Sequence, residues 1–152
     1  MTALGDFSSG DVLTAADMNA IGTWTAYTPT VYNMVIGNGT VDFKYAQINK
    51  VVHLRGVFTM GSTSTFGTTG SPFFSLPIAS AYLQGVLGHA DYIDTTGTDY
   101  VGYITFRNSG TTYFGISNVA STYPTRGLMN NVVPFTWATG DYLAISATYE
   151  AA

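Results

Sequence analysis

The sequence predicts an all-β protein, an antiparallel β-sandwich or jelly-roll domain carrying a short amino-terminal arm and helix. Three observations predict it. Apolar and polar residues alternate with period two through most of the chain from Trp24 onward, the spacing of half-buried strands. Turn residues recur at short, fairly even intervals between those runs, giving eight or nine strands, the pattern of a sandwich or barrel. No repeat of fixed period interrupts this pattern, which argues against a β-helix or propeller.

The first stretch, residues 1–11, has two Gly, two Asp and two Ser without periodicity and reads as an extended arm. A helix of about two turns follows over Leu13–Ile21. Thr14 is placed as its N-cap, and Asp17 three residues on completes a capping-box-like pair. Leu13, Met18 and Ile21 share one apolar stripe. A helix this short does not persist alone in water, so it has to dock on its own domain or on a partner. We therefore divide the chain into an attachment arm, residues 1–22, and a β-domain, residues 23–152.

Within the β-domain, Thr40–Ile48 alternates Val41, Phe43 and Tyr45 with Asp42 and Lys44, and Asn49-Lys50 then makes a tight turn. The returning strand places Val52, Leu54, Phe58 and Met60 on one face and His53 and Arg55 on the other. Gly61–Gly70 reads as a Ser/Thr/Gly loop broken by Phe66. Ser71–Leu76, bracketed by Pro72 and Pro77, reads as a strand at a sheet edge. Tyr82–Ile93 is a long strand in which Gly85 and Gly88 mark a bulge. Tyr100–Arg107 and Thr111–Val119 form a hairpin around Asn108-Ser-Gly110. Ala120–Asn131 reads as irregular and Val132–Thr136 as a short strand. Asp141–Glu150 closes the domain with Leu143, Ile145, Ala147 and Tyr149 on one face.

Composition narrows the function. Only 14 of 152 side chains are charged, 9%, against about 25% in ordinary domains, while 22 are aromatic. Much of the surface is therefore Thr, Ser, Asn, Gly and Tyr, which suits contact with copies of the chain or with another protein and offers little acid–base chemistry. The five basic residues, Lys44, Lys50, Arg55, Arg107 and Arg126, are scattered rather than gathered into the footprint nucleic acid requires. Cysteine is absent, so neither a disulfide framework nor thiolate chemistry is available. The first residues lack the basic start and apolar run of a signal peptide. No apolar run approaches the roughly 18 residues of a membrane-spanning helix. We expect no membrane or nucleic-acid partner.

Catalytic, cofactor and metal residues are expected to be none. His53 and His89 read as ordinary strand histidines, because a triad is recognised by geometry and no nucleophile-elbow pattern occurs. Asp91, Asp94 and Asp99 around Gly97 read as a hairpin turn; their spacing does not match an EF-hand loop. The sole Glu, Glu150, leaves any glycosidase pair to be built mainly from Asp, and nothing picks one out. Sugar binding without hydrolysis stays open, since exposed tyrosines pack on the apolar faces of sugars; Tyr27, Tyr32, Tyr103, Tyr113 and Tyr123 are the candidates. The competing reading is that each simply packs in the domain.

Three stretches carry a resemblance. Phe7-Ser-Ser-Gly-Asp-Val-Leu-Thr-Ala-Ala-Asp-Met-Asn-Ala-Ile21 with Trp24-Thr-Ala-Tyr-Thr-Pro-Thr-Val31 resembles the opening of many small phage virion proteins. Lys44-Tyr-Ala-Gln-Ile-Asn-Lys-Val-Val52 resembles their first hairpin, and Pro134-Phe-Thr-Trp-Ala-Thr-Gly-Asp-Tyr-Leu143, running on to Ala147-Thr-Tyr-Glu150, their carboxyl end. The group comprises head-fibre, capsid-decoration and tail-fibre proteins of phages infecting actinobacteria and relatives. The resemblance implies a commonly trimeric β head attached through its amino-terminal segment, made in the host cytoplasm and displayed on the outside of the particle.

On that basis the leading expectation is a capsid decoration or head-fibre protein. Its arm, with Phe7, Val12, Leu13, Met18 and Ile21 as anchors, would grip the major capsid protein or another virion protein, while the β-domain trimerises. The alternative is a tail-tip module recognising host cell-wall glycan. A small hydrolase is the third reading.

Overall fold

The protein is described from a computed structural model, in which residues 10, 12, 14–68, 70–118 and 125–152 are placed. It is an all-β antiparallel fold with one short helix, α1 (Ala15–Ala20). The strands are β1 (Thr25–Tyr27), β2 (Val31–Tyr32), β3 (Met34–Val35), β4 (Thr40–Ile48), β5 (Val51–Thr59) and β6 (Thr65–Phe66). They continue with β7 (Phe73–Ser75), β8 (Val86–Ile93), β9 (Tyr100–Asn108), β10 (Thr111–Asn118), β11 (Thr125–Leu128) and β12 (Tyr142–Glu150). Ten of them form one sheet in the order β1-β4-β5-β12-β8-β9-β10-β7-β2, with β11 beside β10; β3 and β6 form a separate pair.

Alternation decides which residues face inward. Along β5, Val52, Leu54 and Phe58 are buried while Val51, Arg55 and Val57 are exposed. β12 repeats the pattern with Leu143, Ile145, Ala147 and Tyr149. The register Ile145↔Gly56 and Ile145↔Ala90 carries this inner face from β5 across β12 to β8. Each fully buried Leu or Ile contributes roughly 1.5–3 kcal/mol over an exposed one. The sheet curls until its two ends meet: Phe43 of β4 packs edge-to-face on Phe74 of β7, centroids 5.1 Å apart, although five strands lie between them in the order. A single sheet thus forms both walls of the core, which is how a sandwich-like interior arises here.

Two devices fit aromatics into this interior. Phe43 lies flat over its cross-strand neighbour Gly56, where a Cβ would come within 2.3 Å of the ring. Trp137 meets Phe66 at 5.0 Å, Phe135 at 4.6 Å and Tyr92 at 6.2 Å, so the β3–β6 pair and the segment before β12 close the same end of the core. The Trp137 indole N–H and the Tyr27 hydroxyl are buried without a hydrogen-bond partner among the described residues.

The central hairpin forms as expected: Ile48 pairs with Val51, and Asn49 takes the left-handed φ of 53° that the two-residue turn demands. The bulge expected around Gly88 is present as a register shift between Val86 and Gly88. Other boundaries differ. The strand expected over Tyr82–Ile93 begins only at Val86, because residues 81–85 bend away to return the chain from the Ser80↔Ala151 bridge. β7 is not an edge: β10 flanks it on one side and β2 on the other, and Pro72 and Pro77 lie just outside the paired residues. Val132–Thr136 is no strand; Asn130 and Val133 close a tight turn by mutual backbone bonds. The stretch 120–131, expected to be irregular, contains β11, and 120–124 lie outside the described residues.

Candidate functional site

The amino-terminal segment is built from its cap upward. Thr14 Oγ1 accepts from the Asp17 amide at 3.2 Å, and the Thr14 amide donates to Asp17 Oδ2 at 2.9 Å. The Thr14 hydroxyl also donates to the same carboxylate oxygen at 2.6 Å. The capping box read from the sequence is therefore complete. These bonds from Thr14 hold the Asp17 carboxyl below its ordinary value.

The sign of the pH effect follows. A group with a lowered folded-state value stabilises the helix above its ordinary value and loses that contribution as pH falls through the lowered one. Opening of the capping box, followed through the Thr14 and Asp17 amide shifts, is therefore expected only below about pH 4, the ordinary carboxylate range. Amide shifts unchanged down to full protonation would show that the box does not operate.

Among the described residues α1 has no surface to sit on. None of its residues is buried; Met18 is 58% exposed, and beside the helix Val12 is 83% and Ile21 44% exposed. Phe7 and Leu13, the other expected anchors, lie outside the described residues. The segment meets the sheet just after the helix. Gly22, at φ 71°, passes so near Ile48 that a Cβ would sit 3.3 Å from its side chain. Trp24 then stacks beneath the Arg55 guanidinium at 4.4 Å.

The five candidate tyrosines separate by environment. Tyr27 packs edge-on against Phe43 and Tyr45 at 5.9 and 5.8 Å, and burial pushes its phenol well above the ordinary value. Tyr103 is 9% exposed; its ring lies across Gly115 and its hydroxyl donates to the Gly127 carbonyl at 3.2 Å. Neither presents an open ring face. Tyr123 lies outside the described residues, and Tyr113 is placed by its backbone, which pairs with Phe73 and Thr105.

Tyr32 differs from these. It is 42% exposed and stacks on Phe73 with centroids 4.5 Å apart and planes 11° from parallel. The Arg107 guanidinium sits 3.9 Å from the centre of the same Phe73 ring. Phe73 and Arg107 did not figure among the expected site residues. The signal for Phe73 was present: adjacent strand residues point to opposite faces, so Phe73 and Phe74 cannot both enter the core.

The titratable residues considered for catalysis have plain surroundings. His53 Nδ1 lies 3.1 Å from the Thr148 hydroxyl, and His89 is exposed on the outer face of β8. Asp94 shapes a turn, accepting from the Thr96 amide at 2.9 Å and the Thr96 hydroxyl at 3.0 Å.

Comparison with known proteins returned no matching family model, no similar curated protein and no similar solved structure.

Proposed function

We propose that this chain is a phage virion structural protein of the capsid-decoration or head-fibre type, attached to the particle through its amino-terminal arm and presenting the β-domain outward as a trimer. The observation that carries the reading is α1: a helix with a complete capping box and no buried residue, whose Met18, together with Ile21 just beyond it, turns to solvent. Six residues do not hold a helix in water by themselves, and a cap without an apolar seat suits an element that is finished by docking. The sequence resemblance supports the same reading, since it places the attachment segment at this end. For the trimer, support comes from the outward face of the central strands. One cross-strand row there runs Asp42, Val57, Ala144, Asp91 and Val101, and its exposed Val57 and Val101 give it an apolar part.

The arm is tested by co-sedimenting the purified chain with parent particles that lack it, comparing the wild type with a Met18→Asp/Ile21→Asp double variant. Losing two buried apolar contacts is expected to weaken binding roughly a hundredfold, with the thermal unfolding of the β-domain unchanged. Equal binding of both proteins would remove the arm from the attachment mechanism.

A further inference from the structure

The stack at Tyr32 is built more firmly than an incidental surface contact. A parallel ring at 4.5 Å and a guanidinium 3.9 Å over the ring centre would overlap if they shared one side of Phe73. Phe73 is therefore sandwiched, with Arg107 on one face and Tyr32 on the other, and Tyr32 forms the outermost layer. The backbone on either side of Tyr32 is tied down. Ser75 donates its amide to the Thr30 carbonyl at 2.8 Å, and its hydroxyl oxygen accepts the Thr30 amide at 2.9 Å. On the other side Gly67 donates to the Asn33 carbonyl at 2.7 Å, and Asn33 Nδ2 donates to the Ser71 carbonyl at 3.1 Å. Asn33 holds a left-handed φ of 53°, a conformation asparagine tolerates better than most residues.

We infer that Tyr32 is the platform of a carbohydrate-binding site that takes the apolar face of a neutral pyranose ring. An aromatic ring fixed in advance binds a flat apolar face without the ordering cost a free side chain would bear. The surroundings set the ligand class. Thr30 and Asn33 are exposed beside the ring, and Ser75 is half-buried on the neighbouring strand β7; all are uncharged hydrogen-bonding groups. A polyanion is disfavoured by the net charge of −4 and the scattering of the basic residues. A neutral oligosaccharide offers both the C–H face that an aromatic ring attracts and the hydroxyls that such groups bond. The site lies on the β-domain and does not depend on the attachment role of the arm.

The test uses saturation-transfer NMR on the full chain, without particles, with chitotetraose, maltotetraose and β-1,4-galactotetraose as separate probes. At least one is expected to receive saturation from the protein. Tyr32→Ala should weaken that binding about tenfold, the scale of one aromatic contact, whereas Tyr32→Phe, which keeps the ring, should retain it. Tyr82→Ala, at a residue 60% exposed on the loop before β8, should leave it unchanged. Transfer to none of the three probes, or equal transfer with Tyr32→Ala, overturns the site. Because no particle is present, either result leaves the attachment reading standing.

Discussion

Gly88→Ala is expected to destabilise the protein by about 3 kcal/mol or more, the upper end for overpacking, a large share of the roughly 5–15 kcal/mol that holds a domain folded. A methyl group at this position would lie 2.0 Å from the Ser146 carbonyl oxygen and 2.6 Å from the Ala147 Cα. Both are backbone atoms of the paired strand, so no side chain can rotate aside. The β8–β12 ladder has to separate locally, and that ladder carries the inner face of the sheet between β5 and β9. Urea unfolding monitored through Trp137 measures the loss.

Gly85→Ala is the internal control for that result. No atom lies within 4 Å of a Cβ there, but φ is 114°, so its cost is conformational alone, about 1–2 kcal/mol. Equal effects of the two substitutions would show that steric contact at Gly88 is not what matters.

The second large effect is expected at Asp141, which is 1% exposed. Its Oδ1 accepts from the Thr95 amide at 3.0 Å and the Thr95 hydroxyl at 2.9 Å, and its Oδ2 accepts from the Ala138 amide at 2.7 Å. One carboxylate thereby ties the loop after β8 to the turn that launches β12. Its own carbonyl also accepts from Met60, at 2.8 Å, at the end of β5. Asp141→Ala strands all three side-chain-directed donors and is expected to cost about 2–4 kcal/mol. Thr95 and Ala138 are exposed, so water recovers part of the loss. Asp141→Asn keeps one acceptor and should fall in between. A fall in the urea midpoint no greater for alanine than for asparagine would contradict this account of the junction.

Much of the fold was legible because it is local. Val52, Leu54 and Phe58 alternate with His53 and Arg55, and Asn49 supplies the turn, so one stretch of sequence specifies both strands of the hairpin and its register. Thr14 and Asp17 likewise specify their cap within four residues. The strand order was not legible. Nothing in Leu143, Ile145, Ala147 and Tyr149 says that β12 inserts between β5 and β8, because period-two alternation reports a buried face but not the neighbour across it. The same limit governed the short elements. β3 and β6 are two residues each and pair with one another, and Val132–Thr136 has strand-forming residues but is held in a turn by Asn130.

The tyrosines show the point most clearly for the candidate sites. Tyr32 and Tyr103 both face outward by alternation, yet Tyr103 is laid across Gly115 and bonded to Gly127, whereas Tyr32 is raised on Phe73. What separates a packing tyrosine from a presented one is the residue on the adjacent strand, and strand adjacency is long-range information. For the arm, the cap could be read from Thr14 and Asp17, and the helix it starts spans Ala15–Ala20, inside the stretch Leu13–Ile21 expected for it.

We propose α1 as an attachment element that the particle completes. It is tested most directly by a cryo-EM reconstruction of the phage particle with this chain in place. Trimeric density standing on the capsid is expected, with Thr14–Ile21 helical and Met18 and Ile21 seated against the shell. Density in which residues 14–21 project into solvent while the β-domain makes the contact would contradict it, as would the chain's absence from the particle.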